Sequence, residues 1–145
     1  MKGSNVGKAL GAVVVILGII VAIGPHYIFP VCQYFGQLVT TAAGTTIPMK
    51  CFWTARAEVG LGALTVIAGL LLILSRQQET RRMLGVVVGS LGILVLLTPT
   101  NLIGLCMSAD HPCRVGTEPF LILTGVVVFI VGIITIVTAS GVLHK

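Results

Sequence analysis

The residues of this chain whose types and spacing could do chemistry are its four cysteines, Cys32, Cys51, Cys106 and Cys113. They fall in two pairs, each inside a polar stretch between long apolar runs. In an oxidising compartment the first expectation is disulfides, and four cysteines allow three connectivities. The layout favours Cys32 with Cys51 and Cys106 with Cys113, each bridging the mouth of its own helical hairpin; the crossed arrangement would clamp the two halves together. A bridge of this sort contributes roughly 3 kcal/mol by constraining the unfolded chain. Thiol-disulfide exchange is the rival use, but the chain lacks the Cys-x-x-Cys spacing that commonly lowers a thiol pKa. A softer set, Met49, Cys51, Met107, His111 and Cys113, has the donors that suit Cu(I). Its spacing matches no known site, so neither a metal nor another cofactor is expected.

Charges recur beside the second cysteine of each pair: Arg56 and Glu58 after Cys51, Arg114 and Glu118 after Cys113. Each Arg/Glu set is expected to pair at the membrane rim, where a carboxylate costs little. Trp53 reads as an interfacial anchor, and Thr54 as the N-cap of a helix that follows. Thr117-Glu118-Pro119 also looks like a helix start, with a capping hydroxyl, an acid and a proline in the first turn. His26, just past Pro25, is expected to be a solvated or satisfied histidine and not a ligand.

The elements that must position these residues are membrane helices. Only 9% of the residues are charged and the mean hydropathy is +1.10, far from the globular balance of about 25% charged. Four apolar runs, at 9–29, 57–75, 83–103 and 119–141, are each long enough to cross a hydrocarbon core of about 30 Å at roughly 1.5 Å per residue. Between them lie loops at 30–56 and 104–118 and a tight basic turn from Arg76 to Arg82. The expected fold is an all-α four-transmembrane-helix bundle, one domain over 1–145. The first run is expected to be an uncleaved span and not a secretory signal, because Ala22-Ile23-Gly24 is followed by proline.

Lys2, Lys8, Arg76, Arg81, Arg82 and Lys145 fall on one side of these spans, against Lys50, Arg56 and Arg114 on the other, so both termini are expected in the cytoplasm. The cysteine loops then face outward from the plasma membrane. The +5 net charge lies wholly on the inner side and reads as an orientation signal facing anionic lipid, not as a nucleic-acid footprint. Proline and cysteine stand at the same separation in Pro25…Cys32 and Pro99…Cys106, and both hairpins run in the same direction. A duplicated helix-loop-helix unit is therefore expected, with its pseudo-axis along the membrane normal. Glycines recur in all four runs and are expected to pack the bundle internally. Gly85-xxx-Gly89 offers homo-oligomerisation as the alternative.

Met49-Lys50-Cys51-Phe52-Trp53-Thr54-Ala55-Arg56-Ala57-Glu58, the preceding Cys32, and the later Leu102-Ile103-Gly104-Leu105-Cys106 with Pro112-Cys113-Arg114 resemble the signature of a family of small bacterial four-span membrane proteins of unknown function. Members often carry a histidine after the second cysteine, where this chain has Phe52. The resemblance implies genes beside ABC transporters, and hence an ABC-transporter permease as partner. The reading reached from sequence is a non-enzymatic accessory or assembly subunit of a larger membrane complex. The alternative is an envelope thiol-disulfide oxidoreductase, since four spans with outer-face cysteine pairs are similar in layout to the quinone-linked enzymes of that class; in it Arg56 would orient the quinone.

Overall fold

A computed structural model describes residues 2–28, 39–47, 50–105 and 113–141 of the chain. Its four long helices are α1 (Lys2–Ile23), α2 (Lys50–Leu74), α3 (Gln78–Leu97) and α4 (Glu118–Ala139). With their flanking turns they form four segments long and apolar enough to cross a membrane: Asn5–Ile28, Lys50–Leu74, Gln78–Leu102 and Cys113–Ala139. Three short π-helical turns, at Gly24–Ile28, Thr98–Leu102 and Cys113–Thr117, continue α1 and α3 and lead into α4. Pro25 and Pro99 stand in the first two of these turns. Proline lacks the N–H that would donate to the preceding turn, and its ring presses on that turn's carbonyl. The coil there widens instead of continuing as α-helix.

Two short strands, β1 (Val39–Thr40) and β2 (Thr46–Ile47), form an antiparallel pair in register Val39↔Ile47 and Thr40↔Thr46. Gly44, at φ +77°, makes their turn. This small ribbon lies within the stretch read from sequence as a loop.

Helix contacts are set by glycine. In lipid, burying apolar surface no longer drives helices together, so close backbone approach and dispersion must do it. A Cβ built on Gly11 would stand 2.9 Å from the Gly69 carbonyl oxygen, and one on Gly18 would stand 2.9 Å from that of Gly62. Between α3 and α4, a Cβ on Gly92 would lie 2.9 Å from the Gly125 oxygen and one on Gly132 3.0 Å from the Gly85 oxygen. The earlier glycine of one helix meets the later glycine of the other, so α1 runs antiparallel to α2 and α3 antiparallel to α4. Between these seams lies a core of Val14, Ala68, Leu72, Val88, Leu91, Val128 and Val131. The opposite faces present Ile16, Leu64, Val86, Ile130 and similar large apolar side chains outward, as lipid-facing surfaces do.

At one end of the bundle the start of α1, the end of α2, the start of α3 and the end of α4 enclose a cavity of about 300 Å³ whose lining includes Gly7, Leu72, Arg81 and Thr135. Arg81 donates from Nε to the Ser75 carbonyl at 3.1 Å, closing the turn between α2 and α3. The other end holds Cys51 and Cys113.

Gly60 differs from the seam glycines. It sits inside α2, where glycine costs about 1 kcal/mol relative to alanine, yet a Cβ there would meet nothing within 4 Å. Gly62→Val should therefore destabilise the bundle by about 1–3 kcal/mol through forced separation of α1 and α2, whereas Gly60→Ala should leave stability unchanged or raised. Unfolding in mixed micelles of increasing denaturing detergent distinguishes the two; equal losses would contradict the seam.

Candidate functional site at the cysteine end

The sequence predicts a loop up to residue 56, but the first two turns of α2 are already formed from Lys50. No glycine or proline interrupts Lys50 to Val59, so nothing breaks the helix there. Cys51, Trp53, Thr54 and Arg56 consequently sit on a helix, and their faces follow from its turn. Cys51, Thr54, Ala55 and Glu58 are buried, while Trp53 and Arg56 are exposed. Cys113 likewise stands in a π-helical turn that leads directly into α4.

Thr54 is not an N-cap. Its hydroxyl donates to the Gly104 carbonyl at 2.7 Å, tying α2 to the segment that leaves α3. Gly104 takes φ +79°, a conformation that L side chains rarely adopt. Thr117 precedes α4 with helical dihedrals and makes no side-chain cap bond.

Cys51 and Cys113 are both fully buried, and with Ala55 and the partly buried Leu105 they form one compact cluster. Thus the second cysteine of each expected pair meets its counterpart. No disulfide joins these two. Cys32 and Cys106, to which the sequence reading bridges them, lie outside the described residues, as do Met49, Met107 and His111.

The expected Arg56–Glu58 pair is not made. Residues two apart on a helix point to different faces: Arg56 is exposed and holds its guanidinium over the Phe52 ring, 5.4 Å from the centroid. Phe52 in turn meets Trp53 edge-to-face at 5.6 Å. Arg114 and Glu118, one turn apart in the second entry, do approach, with Nε 3.7 Å from Oε2 on the partly exposed rim. At such exposure a pair of this kind contributes about 0–1 kcal/mol.

Glu58 is the residue that sequence reasoning misplaced. It lies eight residues, about 12 Å, inside the helix start and has no exposed surface. Other buried polar side chains of the bundle solve the problem locally: Thr65, Thr98, Thr124 and Thr135 each donate a hydroxyl proton to the carbonyl four residues earlier, at 2.7–2.8 Å. The Glu58 carboxyl makes no such bond back to its own helix. Thr98 lies against Glu58 but has given its proton to Leu94. Among the described residues, neither carboxyl oxygen has a partner in hydrogen-bonding geometry. The one signal in the sequence was the helical spacing of Cys51, Thr54 and Glu58, which puts them on one face.

Four apolar spans closed over a buried end of two cysteines, a threonine clamp and an unpartnered acid define a multi-pass helical membrane protein. The chain belongs to the family described as "Domain of unknown function (DUF4418)", whose model matches residues 14–138. Neither a curated protein nor a solved structure matches.

Two substitutions separate the parts of this end. Thr54→Val leaves the Gly104 carbonyl without its donor and should cost about 1–3 kcal/mol. Glu58→Leu removes a buried polar group that nothing satisfies, and should be neutral or stabilise the isolated chain by a similar amount. Detergent-titrated unfolding followed by circular dichroism reads both; a large loss at Glu58→Leu would mean that the acid holds the bundle together.

Proposed function

We propose that this protein is a non-enzymatic accessory or assembly subunit of a larger membrane complex. The observation that carries the reading is Glu58: a fully buried carboxyl inside an apolar span, with neither oxygen hydrogen-bonded among the described residues. Ionisable groups inside spans are costly and are retained where they have a partner or a task. With no partner for it among the described residues, the task belongs to an assembled state. In this reading the termini and the α2–α3 turn face the cytoplasm and the cysteine end faces outward from the plasma membrane, as the Lys/Arg distribution argues. The bundle consists of two related helical hairpins, and a permease of the ABC-transporter class is the partner implied by the resemblance stated above.

A second reading, the envelope thiol-disulfide oxidoreductase, draws on the contact of Cys51 and Cys113 in one cluster. Thiol labelling discriminates. The subunit reading expects Cys51 and Cys113, both without exposed surface, to stay unlabelled by maleimide in the native bundle with or without mild reductant; rapid, reductant-dependent labelling of the native protein favours the enzyme. For the subunit itself, native membranes dissolved in mild detergent should give a particle that contains this chain and a second membrane protein in fixed ratio. A particle made of this chain alone contradicts the proposal.

A further inference from the structure

Between the two glycine-sealed helix pairs, the end of the bundle opposite Cys51 and Cys113 is hollow. The cavity there holds about 300 Å³. Its floor is made by the buried Gly7, Leu72 and Thr135, and its mouth by the exposed Val6, Gln78 and Gly141. The half-buried Arg81 forms part of the wall. A Cβ at Gly7 would collide with its guanidinium, so the side chain reaches from α3 across to α1, and the missing side chain of Gly7 gives it room.

The lining divides by chemistry. Donors come from α3: a guanidinium carries five N–H groups, of which that of Nε goes to the Ser75 carbonyl, and Gln78 adds an amide at the mouth. Acceptors come from α4. Thr135 and Thr138 each return the hydroxyl proton to their own helix, at 2.8 Å to the carbonyls of Val131 and Ile134, so toward the cavity their oxygens can only accept. Leu10 and Leu72 supply apolar wall. The helix ends that meet here carry Lys2, Lys8, Arg76, Arg81 and Arg82 against Glu79 alone, so this end is positive whatever pairs form within it.

We infer that this cavity binds the headgroup of an anionic phospholipid that bears hydroxyls, phosphatidylglycerol in kind. The phosphate meets Arg81 and Gln78, the headgroup hydroxyls donate to Thr135 and Thr138, and the acyl chains leave past Val6 into the bilayer. A planar guanidinium fork suits a phosphate, and basic pockets between membrane helices take lipid headgroups of this charge. Pockets for small ligands run from about 300 to 1,000 Å³, so this one has room for a headgroup and leaves the chains outside. Phosphatidylcholine fits it poorly, because its headgroup brings a cation toward the same guanidinium and has no hydroxyl to donate. The inference is independent of the subunit reading and concerns the opposite end of the bundle from Glu58.

The test uses the full-length protein, stripped of lipid in maltoside micelles, and counts bound lipid by native mass spectrometry. One phosphatidylglycerol should bind per chain, about 10-fold or more tightly than phosphatidylcholine, with phosphatidylserine, anionic but without hydroxyls, between them. Arg81→Gln should remove the phosphatidylglycerol preference, while Arg82→Gln, the same loss of charge at an exposed neighbour, should leave it. Thr138→Val, which keeps the volume, should bring phosphatidylglycerol down to phosphatidylserine. Should Arg81→Gln not fold, Ala139→Leu, which narrows the cavity without touching a charge, must weaken all three lipids. Equal binding of phosphatidylglycerol and phosphatidylcholine overturns the inference, as does an equal loss in Arg81→Gln and Arg82→Gln, the mark of a diffuse basic surface. Glycerophosphoglycerol, the headgroup without its chains, binding as tightly as the lipid would assign the cavity to a soluble phosphodiester. Lipid binding that begins only once residues 142–145 are removed would assign it to the chain's own tail. Either result overturns the lipid.

Discussion

Backbone lies against backbone at paired glycines, and the rest of the structure depends on that contact. Gly11 with Gly69 and Gly18 with Gly62 set the depth at which α1 and α2 cross; Gly85 with Gly132 and Gly92 with Gly125 do the same for α3 and α4. Because lipid is as apolar as leucine, a seam must gain its stability from dispersion at short range, and a single added carbon removes it. Two tight pairs of helices result. The valines and leucines between them fill the centre, while the α2/α3 seam, with Ala57 and Gly60 along it, stays open toward lipid.

Polar groups inside this frame obey a simple accounting. A hydroxyl can return its proton to the helix that carries it, and Thr65, Thr98, Thr124 and Thr135 all do so. Thr54 spends its proton across the bundle on Gly104 and so closes the cysteine end. Glu58 makes no such bond, and among the described residues neither of its oxygens meets a donor in hydrogen-bonding geometry. An unsatisfied acid costs stability, and Glu58 has no exposed surface through which water would offset that cost. In the subunit reading proposed above, the acid answers to a demand other than folding.

The spans were legible because length and hydropathy suffice to mark them, and the glycine pattern announced close packing. What the sequence hid lay at the helix entries. Polar residues between 50 and 56 resemble a loop in composition, but without glycine or proline they continue the helix, which starts at Lys50. That shift carries Glu58 two turns inward and turns Arg56 to another face, so a pair that looks natural in one dimension is not formed. Thr54 resembles a cap for the same reason, and its actual acceptor, Gly104, is fifty residues away. The meeting of Cys51 with Cys113 joins α2 to the entry of α4, a relation that no local spacing encodes. The chemistry of the cysteine end was thus visible as a list of residue types and invisible as an arrangement.

The central claim is the proposal that this chain works as a subunit of a larger membrane complex. A photo-crosslinking amino acid placed at the exposed position 60, and in a separate variant at the exposed position 123, tests it directly in intact membranes. The account predicts a discrete protein adduct from at least one of the two positions. Lipid adducts alone from both would contradict it.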